Sequence, residues 1–447
     1  MVHRRRPRKM DAGMWTWSDE PPLLAWCVTL MGLALALETH LSWRQRQLLE
    51  KAKKKPSGEA YERLGKEKYV EAVRYAKDKC SFAAFTNLVE GAISTTTLLT
   101  FALPRLWNAT EAICGTVVDC QGERFASDAL RSIAFALAWT LTSQAMDLPL
   151  KAYSTFVIEA RHGFNTTTPI VFVKDAITSA LLTCVAAPPL VAGAVAILRN
   201  TGPYAAMYLW AFLATFSILV AVIYPTLIMP LFNKFDPLPD GELKTKIEEL
   251  AGKLGFPLQK LFVMDGSKRS GHSNAFMYGF FKNKRIVLFD TLLNQCDEEE
   301  VVGVLAHELG HWKLKHTMAL FISAMTVLFV QMSAFTYIRT SKVLFRSFGF
   351  ETQPVFISLI LFQLLIAPVD LIITLAQHFV SRLFEFQADA FAIGLGHGAP
   401  LRTALLKLEK ENKASPVVDP WYSAYHYTHP PLTERLAAID AKMKQVE

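Results

Sequence analysis

The sequence predicts an all-α polytopic membrane protein of about seven transmembrane helices, carrying a separate segment with a small β-sheet. Three observations carry that prediction. Hydrophobic residues make up 51% of the 447 residues and charged residues only 19%, against about 25% charged in an average soluble domain. The apolar residues collect in runs of about 20, the length that crosses a bilayer as a helix. Between the fifth and sixth runs lies a charged stretch with strand-like patterns and one helix-compatible run, Val301–Trp312, holding two histidines one turn apart.

Residues 1–20 form a basic N-terminal tail that includes Arg4, Arg5, Arg6, Arg8 and Lys9. Residues 21–230 carry spans one to five. The apolar run Leu23–Leu37 ends in Glu38-Thr39-His40 without a small-x-small cleavage site, so it reads as a membrane helix and not a removed signal. The Lys/Arg-rich stretch 44–80 reads as a helical loop on the cytosolic side. The second span is Phe82–Leu103, the third begins at Ser132–Asp147, and the fourth and fifth are Thr178–Leu198 and Tyr204–Leu227. Loop 104–130 is then luminal. It carries the glycosylation acceptor pattern Asn108-Ala109-Thr110 together with Cys114 and Cys120, which form either a disulfide or two free thiols. None of the six cysteines forms a Cys-x-x-Cys pair, which argues against a cysteine metal site.

Residues 231–316 read as soluble. Glu242–Gly255 has the pattern of an amphipathic helix, Lys260–Met264 and Arg285–Phe289 read as strands, and Ser273–Phe281 as a middle or edge strand. Asp297 offers an N-cap, and Glu300 three residues on completes a capping box. Residues 317–380 hold the sixth span, Met318–Tyr337, and the seventh, Val355–Leu375. Residues 381–447 form the helical C-terminal part of the soluble domain. With seven spans, this part and 231–316 lie on the same, cytosolic side. The net charge of +7 reads as loop charge at a membrane. No aromatic-interleaved basic patch supports nucleic-acid binding.

The run Val301–Trp312 contains His307-Glu308-Leu309-Gly310-His311. In a helix the two imidazoles share one face and can bind one zinc ion, with Glu308 beside them as general base. A catalytic zinc takes three protein ligands and leaves a position for water. Just after the seventh span, Glu385 and Asp389 are also four apart. Both lie in the stretch that offers candidates for the third ligand, and a carboxylate at Glu385 is in reach of the metal. Asp389 is placed to accept a hydrogen bond from a ligand histidine and fix its tautomer. The chemistry this set supports is peptide hydrolysis, in which Glu308 takes a proton from water and passes it to the leaving amine. His429 and Arg435 are candidate donors to the developing oxyanion. His316 and His378 read as structural.

Long stretches in order resemble the Ste24-type CAAX prenyl proteases, the CAAX prenyl protease 1 family of integral membrane zinc metallopeptidases. They are Thr155–Glu159, His162–Asn165, Gly266–Ala275, Phe280–Leu292, His307–Trp312, Phe384–Ala390 and the tail His429–Leu436. The resemblance implies seven helices around a large chamber closed by the zinc domain. It implies one zinc per chain on His307, His311 and Glu385, Glu308 as the base, and Asp389 behind the ligands. By the same likeness His429 and Arg435 stand at the active site, and Asn274 and Ala275 belong to the strand that holds the substrate backbone. The implied reaction removes the C-terminal aaX tripeptide from prenylated CaaX proteins, with a second upstream cut in some precursors. A monomer in the endoplasmic reticulum membrane is implied, and in the inner nuclear membrane as well, with its active site opening toward the cytosol and its partners being the bilayer and prenylated proteins or peptides. Phe276-Met277 depart from the expected Tyr-Phe beside the substrate strand. Two other readings stay open: a membrane-protein quality-control zinc protease, and a non-catalytic protein that binds or transports prenylated proteins.

Overall fold

The computed structural model describes residues 23–117, 124–279 and 283–446. The basic tail 1–20, Cys120, the side chain of Cys114 and residues 280 and 281 of the strand expected over Ser273–Phe281 lie outside the described set. The helices α1 (Leu23–Lys54) and α2 (Glu59–Leu99) pack along each other as a hairpin. At 1.5 Å per residue α1 reaches about 48 Å, well beyond a bilayer core. The stretch 44–80, expected as a helical loop, is formed by the projecting ends of these two helices and the turn between them.

Next comes α3 (Ala102–Val117), which covers the end of the second expected span and the first part of the loop expected over 104–130. Its helical form follows from a face that reads Leu103, Trp107, Thr110, all buried. The acceptor pattern at Asn108 lies on this helix, and the Thr110 hydroxyl donates to the Trp107 carbonyl at 2.6 Å. The helix α4 (Arg124–Tyr153) continues into a π-helical turn, Ser154–Glu159. Thr168 caps α5 (Pro169–Asn200), with Pro169 at its first position. After α6 (Ala205–Ile223) a second π-helical turn, Tyr224–Ile228, leads to the short α7 (Met229–Phe232).

The soluble segment then forms β1 (Phe235–Pro237), α8 (Glu242–Leu254), β2 (Leu258–Met264), β3 (Ala275–Tyr278), β4 (Lys284–Phe289), α9 (Asp290–Gln295) and α10 (Glu298–Lys313). The sheet order is β1-β2-β4-β3, with β2 and β4 parallel and the other pairs antiparallel. The strand expected over Ser273–Phe281 is thus an edge strand, and β1 joins the two expected strands as a fourth. Leu250 of α8, Ile286 and Leu288 of β4, and Leu305 and Leu309 of α10 share one buried core.

The chain returns to the membrane in α11 (His316–Ile338), turns through α12 (Lys342–Ser347) and enters α13 (Val355–Gly394). It ends in α14 (Gly398–Glu411), α15 (Pro420–His426) and α16 (Leu432–Val446). The seventh span and the Glu385–Asp389 segment, expected to be separate, share the unbroken 40-residue α13. Long-range ion pairs that tie the soluble part to the membrane part include Arg44 to Asp419 at 2.8 Å, Arg63 to Glu409 at 2.9 Å, and Arg269 to Asp175 at 2.8 Å.

Among the described residues five helical stretches are long and apolar enough to cross a membrane: α1, α5, Gly202–Phe232, α11 and α13. The helices over the second and third expected spans, α2 and α4, are long but more polar. Some of their polar residues meet at one place. Glu90, Ser94 and Thr97 of α2 and Thr142, Ser143 and Asp147 of α4 line a cavity of about 680 Å³ between the helices.

Candidate active site

The site begins with the capping of α10. Asp297 accepts a hydrogen bond from the Glu300 backbone N–H at 3.0 Å, and Glu300 accepts one from the Asp297 N–H at 2.9 Å. This is the expected capping box, and it fixes the phase in which His307 and His311 leave the helix. Gly310 lies between them. A Cβ there would sit 3.1 Å from Phe391 and 3.3 Å from the Ala388 backbone. Glycine at this point lets α13 approach close enough for Glu385 and Asp389 to reach the histidines.

Three ligand-type atoms converge. His307 Nε2 and His311 Nε2 are 3.2 Å apart, and the Glu385 carboxylate lies 3.5 Å from the first and 3.3 Å from the second. Tetrahedral coordination with bonds near 2.05 Å needs ligand separations of about 3.4 Å. Glu385 is buried, and its Oε2 has no hydrogen-bond partner among the described residues. His307 Nε2 and Arg435 Nη1 come only to 3.5 Å of that oxygen, beyond a good hydrogen bond, and a cation at the centre of the three groups gives it a direct partner. The donor set and its spacing fit a metal ion.

Behind the ligands stands a second layer. His307 Nδ1–H donates to Asp389 Oδ1 at 2.8 Å, which leaves Nε2 as the nitrogen that faces the centre. Arg435 forks onto the same carboxylate at 2.9 and 2.7 Å, and its Nη1 lies 3.5 Å from Glu385. Burial opposes a charge on His307, but Asp389 and Glu385 outweigh it and raise the imidazole to about 9 in the metal-free protein. His316 lies 3.0 Å from His311 through the two Nδ1 atoms, and its Nε2 donates to Gln387 Oε1 at 2.9 Å. With Nε2 as the donor, neutral His316 accepts from His311 Nδ1–H and so turns His311 Nε2 toward the centre. Its ring is stacked on Phe384 at 4.1 Å.

Glu308 makes no hydrogen bond among the described residues, and burial pushes its carboxyl above the usual range, partly countered by His307 and His311. His429 approaches from the solvent side, its Nε2 3.3 Å from Glu385 Oε1 and its side chain 63% exposed. The structure thus brings seven of the expected residues together: His307, Glu308, His311, Glu385, Asp389, His429 and Arg435. It places Arg435 on Asp389, on the inner side of the ligands, and His429 on the open side.

Asn274 and Ala275 lie at the start of the edge strand β3. Phe289 N–H donates to the Asn274 carbonyl at 3.1 Å, so the even-numbered residues of β3 face β4. The main-chain groups of Ala275 and Met277 therefore point to the open edge. Asn274 Oδ1 occupies the Ala275 N–H at 2.8 Å.

Residues 45–234 match the CAAX prenyl protease N-terminal family, described as five membrane helices, and residues 237–443 match peptidase family M48. A rice protein named CAAX prenyl protease 1 homolog is 48% identical over 94% of this chain and 97% of its own length. The chain belongs to peptidase family M48. A human CAAX prenyl protease 1 homolog is 38% identical, covering 95% of each chain. The crystal structure of S. mikatae Ste24p superposes with a TM-score of 0.89 at 34% identity, covering 94% of this chain and 99% of that one. As an M48 member the protein is a multi-pass membrane metallopeptidase.

Sequence reasoning set His316 aside as structural and did not single out Gln387. A signal was present: His316 follows His311 by five residues, and Gln387 lies between Glu385 and Asp389. Met277 was noted only as a departure from the family pattern. Its place at the open edge depends on strand phase, which the strand pattern alone does not give.

Proposed function

We propose that this M48 metallopeptidase is a zinc-dependent endopeptidase that removes the C-terminal aaX tripeptide from prenylated CaaX proteins. The observation that carries the reading is the convergence of His307, His311 and Glu385 on one point, with Glu308 beside them and the open strand β3 in the same domain. The names of the rice and human relatives point to the prenylated substrate class.

His307, His311 and Glu385 hold the zinc. When bound, it supplies a Lewis acid for the scissile carbonyl and acidifies water. Glu308, with its carboxyl raised by burial, has a basicity suited to taking the proton of the attacking water and returning it to the leaving amine. Ala275 and Met277 hold the substrate main chain by strand addition, and the substrate displaces the Asn274 amide from the Ala275 N–H. His429 on the exposed side donates to the oxygen that gains charge. Arg435 holds Asp389, which holds His307, and so acts through another residue.

Seven spans are α1, α2, α4, α5, α6, α11 and α13. The basic last turn of α1, Lys51, Lys53 and Lys54, lies on the same side as the soluble domain, since Arg44 pairs with Asp419. By the positive-inside rule that side is cytosolic. Location in the endoplasmic reticulum membrane rests on likeness to the family. The test is hydrolysis of matched farnesylated and unprenylated CaaX peptides by the purified full-length chain. The proposal expects kcat/KM higher for the prenylated peptide by at least about 100-fold. Equal rates on both, with digestion of unfolded membrane proteins, would instead make the enzyme a quality-control protease.

A further inference from the structure

Two stretches far apart in sequence meet beside the substrate edge. Residues 266–273 run from the end of β2 to the start of β3, and residues 159–167 leave the π-helical end of α4. Asn165 and Ser270 form an antiparallel bridge, and the Gly271 N–H donates to the Phe164 carbonyl at 3.0 Å. The Thr166 hydroxyl donates to the Ser267 carbonyl at 2.7 Å, and the Thr167 hydroxyl to the Arg269 carbonyl at 3.0 Å. Arg269 forks onto Asp175 of α5 at 2.8 and 2.9 Å. The membrane part therefore grips this segment by main chain and by charge.

His272 is the centre of the grip. Its ring is stacked on Phe164 with centroids 4.1 Å apart. Its Nε2 lies 3.1 Å from the Tyr75 hydroxyl and 3.3 Å from Glu159 Oε2. Tyr75 donates to both Glu159 oxygens, at 2.8 and 2.9 Å. Burial, together with Glu159, raises the Tyr75 phenol, so it keeps its proton as that donor. The His272 carbonyl accepts from the Thr291 hydroxyl at 3.0 Å, and Asn412 Oδ1 accepts the next N–H, of Ser273, at 3.2 Å. Two residues later the edge strand begins.

That strand has four residues and one paired side. From the soluble domain its N-terminal end is held by Thr291 and Asn412 and by Gln295, whose Oε1 accepts from the Ser273 hydroxyl at 2.5 Å and whose amide donates to the Gly271 carbonyl at 3.3 Å, and the His272 contacts add the hold from the membrane part. Displacing a bound substrate by about 1 Å relative to the reacting groups costs about 100-fold in rate. We infer that Glu159 and Tyr75 are positioning residues for catalysis, acting through His272 to hold β3 in place against the histidine pair. The inference rests on the reading that β3 receives the substrate.

The test uses the full-length chain in detergent, as wild type, Glu159→Gln and Tyr75→Phe. The second variant removes one hydroxyl and keeps the ring, so it leaves the packing intact. Hydrogen exchange followed by mass spectrometry reads the strand directly. Both variants are expected to exchange amides over 270–278 about tenfold faster or more, with exchange over α10 and metal content per chain unchanged. KM for the prenylated peptide rises about tenfold in each, with a smaller fall in kcat. Unchanged exchange over 270–278 in both variants overturns the inference. So does faster exchange that extends to α10 with loss of metal, because that marks general loosening. A wild type that fails to cleave the peptide defeats the proposed function, while the exchange comparison still decides the grip.

Discussion

Asp389 Oδ1 lies 2.8 Å from His307 Nδ1 and 2.7 Å from Arg435 Nη2. One carboxylate oxygen thus joins a proposed ligand to a buried guanidinium. The pair fixes the His307 tautomer and its ring plane, and the arginine neutralises the carboxylate that does so. Replacing Asp389 by Asn keeps the volume and weakens the acceptor. Asp389→Asn is expected to weaken zinc affinity by about 10–100-fold. Competition against a chelator of known affinity checks this. Unchanged affinity would mean that the contact has no part in holding the metal.

His316 does for His311 what Asp389 does for His307, but as a neutral relay to Gln387. His316→Phe retains the stack on Phe384 and removes both hydrogen bonds. Zinc affinity should fall about tenfold or more, with the melting temperature of the metal-free chain changed by less than about 3 °C. The same chelator assay and a thermal melt read the two quantities. A melt lowered as far as the affinity would make His316 a packing residue.

The raised His307 value gives metal uptake a pH dependence. In the metal-free protein the imidazole is protonated below about 9, and a metal ion must displace that proton from Nε2. Affinity therefore rises with pH, by up to about tenfold per unit, and this dependence fades above about 9. Titration calorimetry at pH 7 in buffers of different ionisation enthalpy should report close to one proton released from this group per metal bound. A value near zero would place His307 neutral before binding.

Much of this was legible in the sequence, for identifiable reasons. The His307–His311 and Glu385–Asp389 spacings are local helical periodicities, and the Asp297–Glu300 capping box is a local signal, so pattern alone exposes them. What pattern does not give is which helix face meets which. The sequence reading broke α13 into a span and a soluble helix because its apolar residues thin out after Leu375, yet the helix itself runs on to Gly394. The stretch 104–130 read as a loop because its apolar residues are sparse, but Leu103, Trp107 and Thr110 make one buried face. Some of the polar residues of α2 and α4, Glu90 and Asp147 among them, line one cavity. The place of β3 at the sheet edge, and the outward phase of Ala275 and Met277, came only with strand order.

The central claim is a metal-dependent cut three residues from the end of a prenylated chain, with Glu308 as base. Mass analysis of a farnesyl-Cys-a-a-X peptide incubated with wild type and with Glu308→Ala tests it most directly. The account predicts release of the intact tripeptide by wild type, and a rate lower by a factor of about 100 or more in the variant with zinc still bound. Release of single residues in sequence, or equal release by Glu308→Ala, would contradict it.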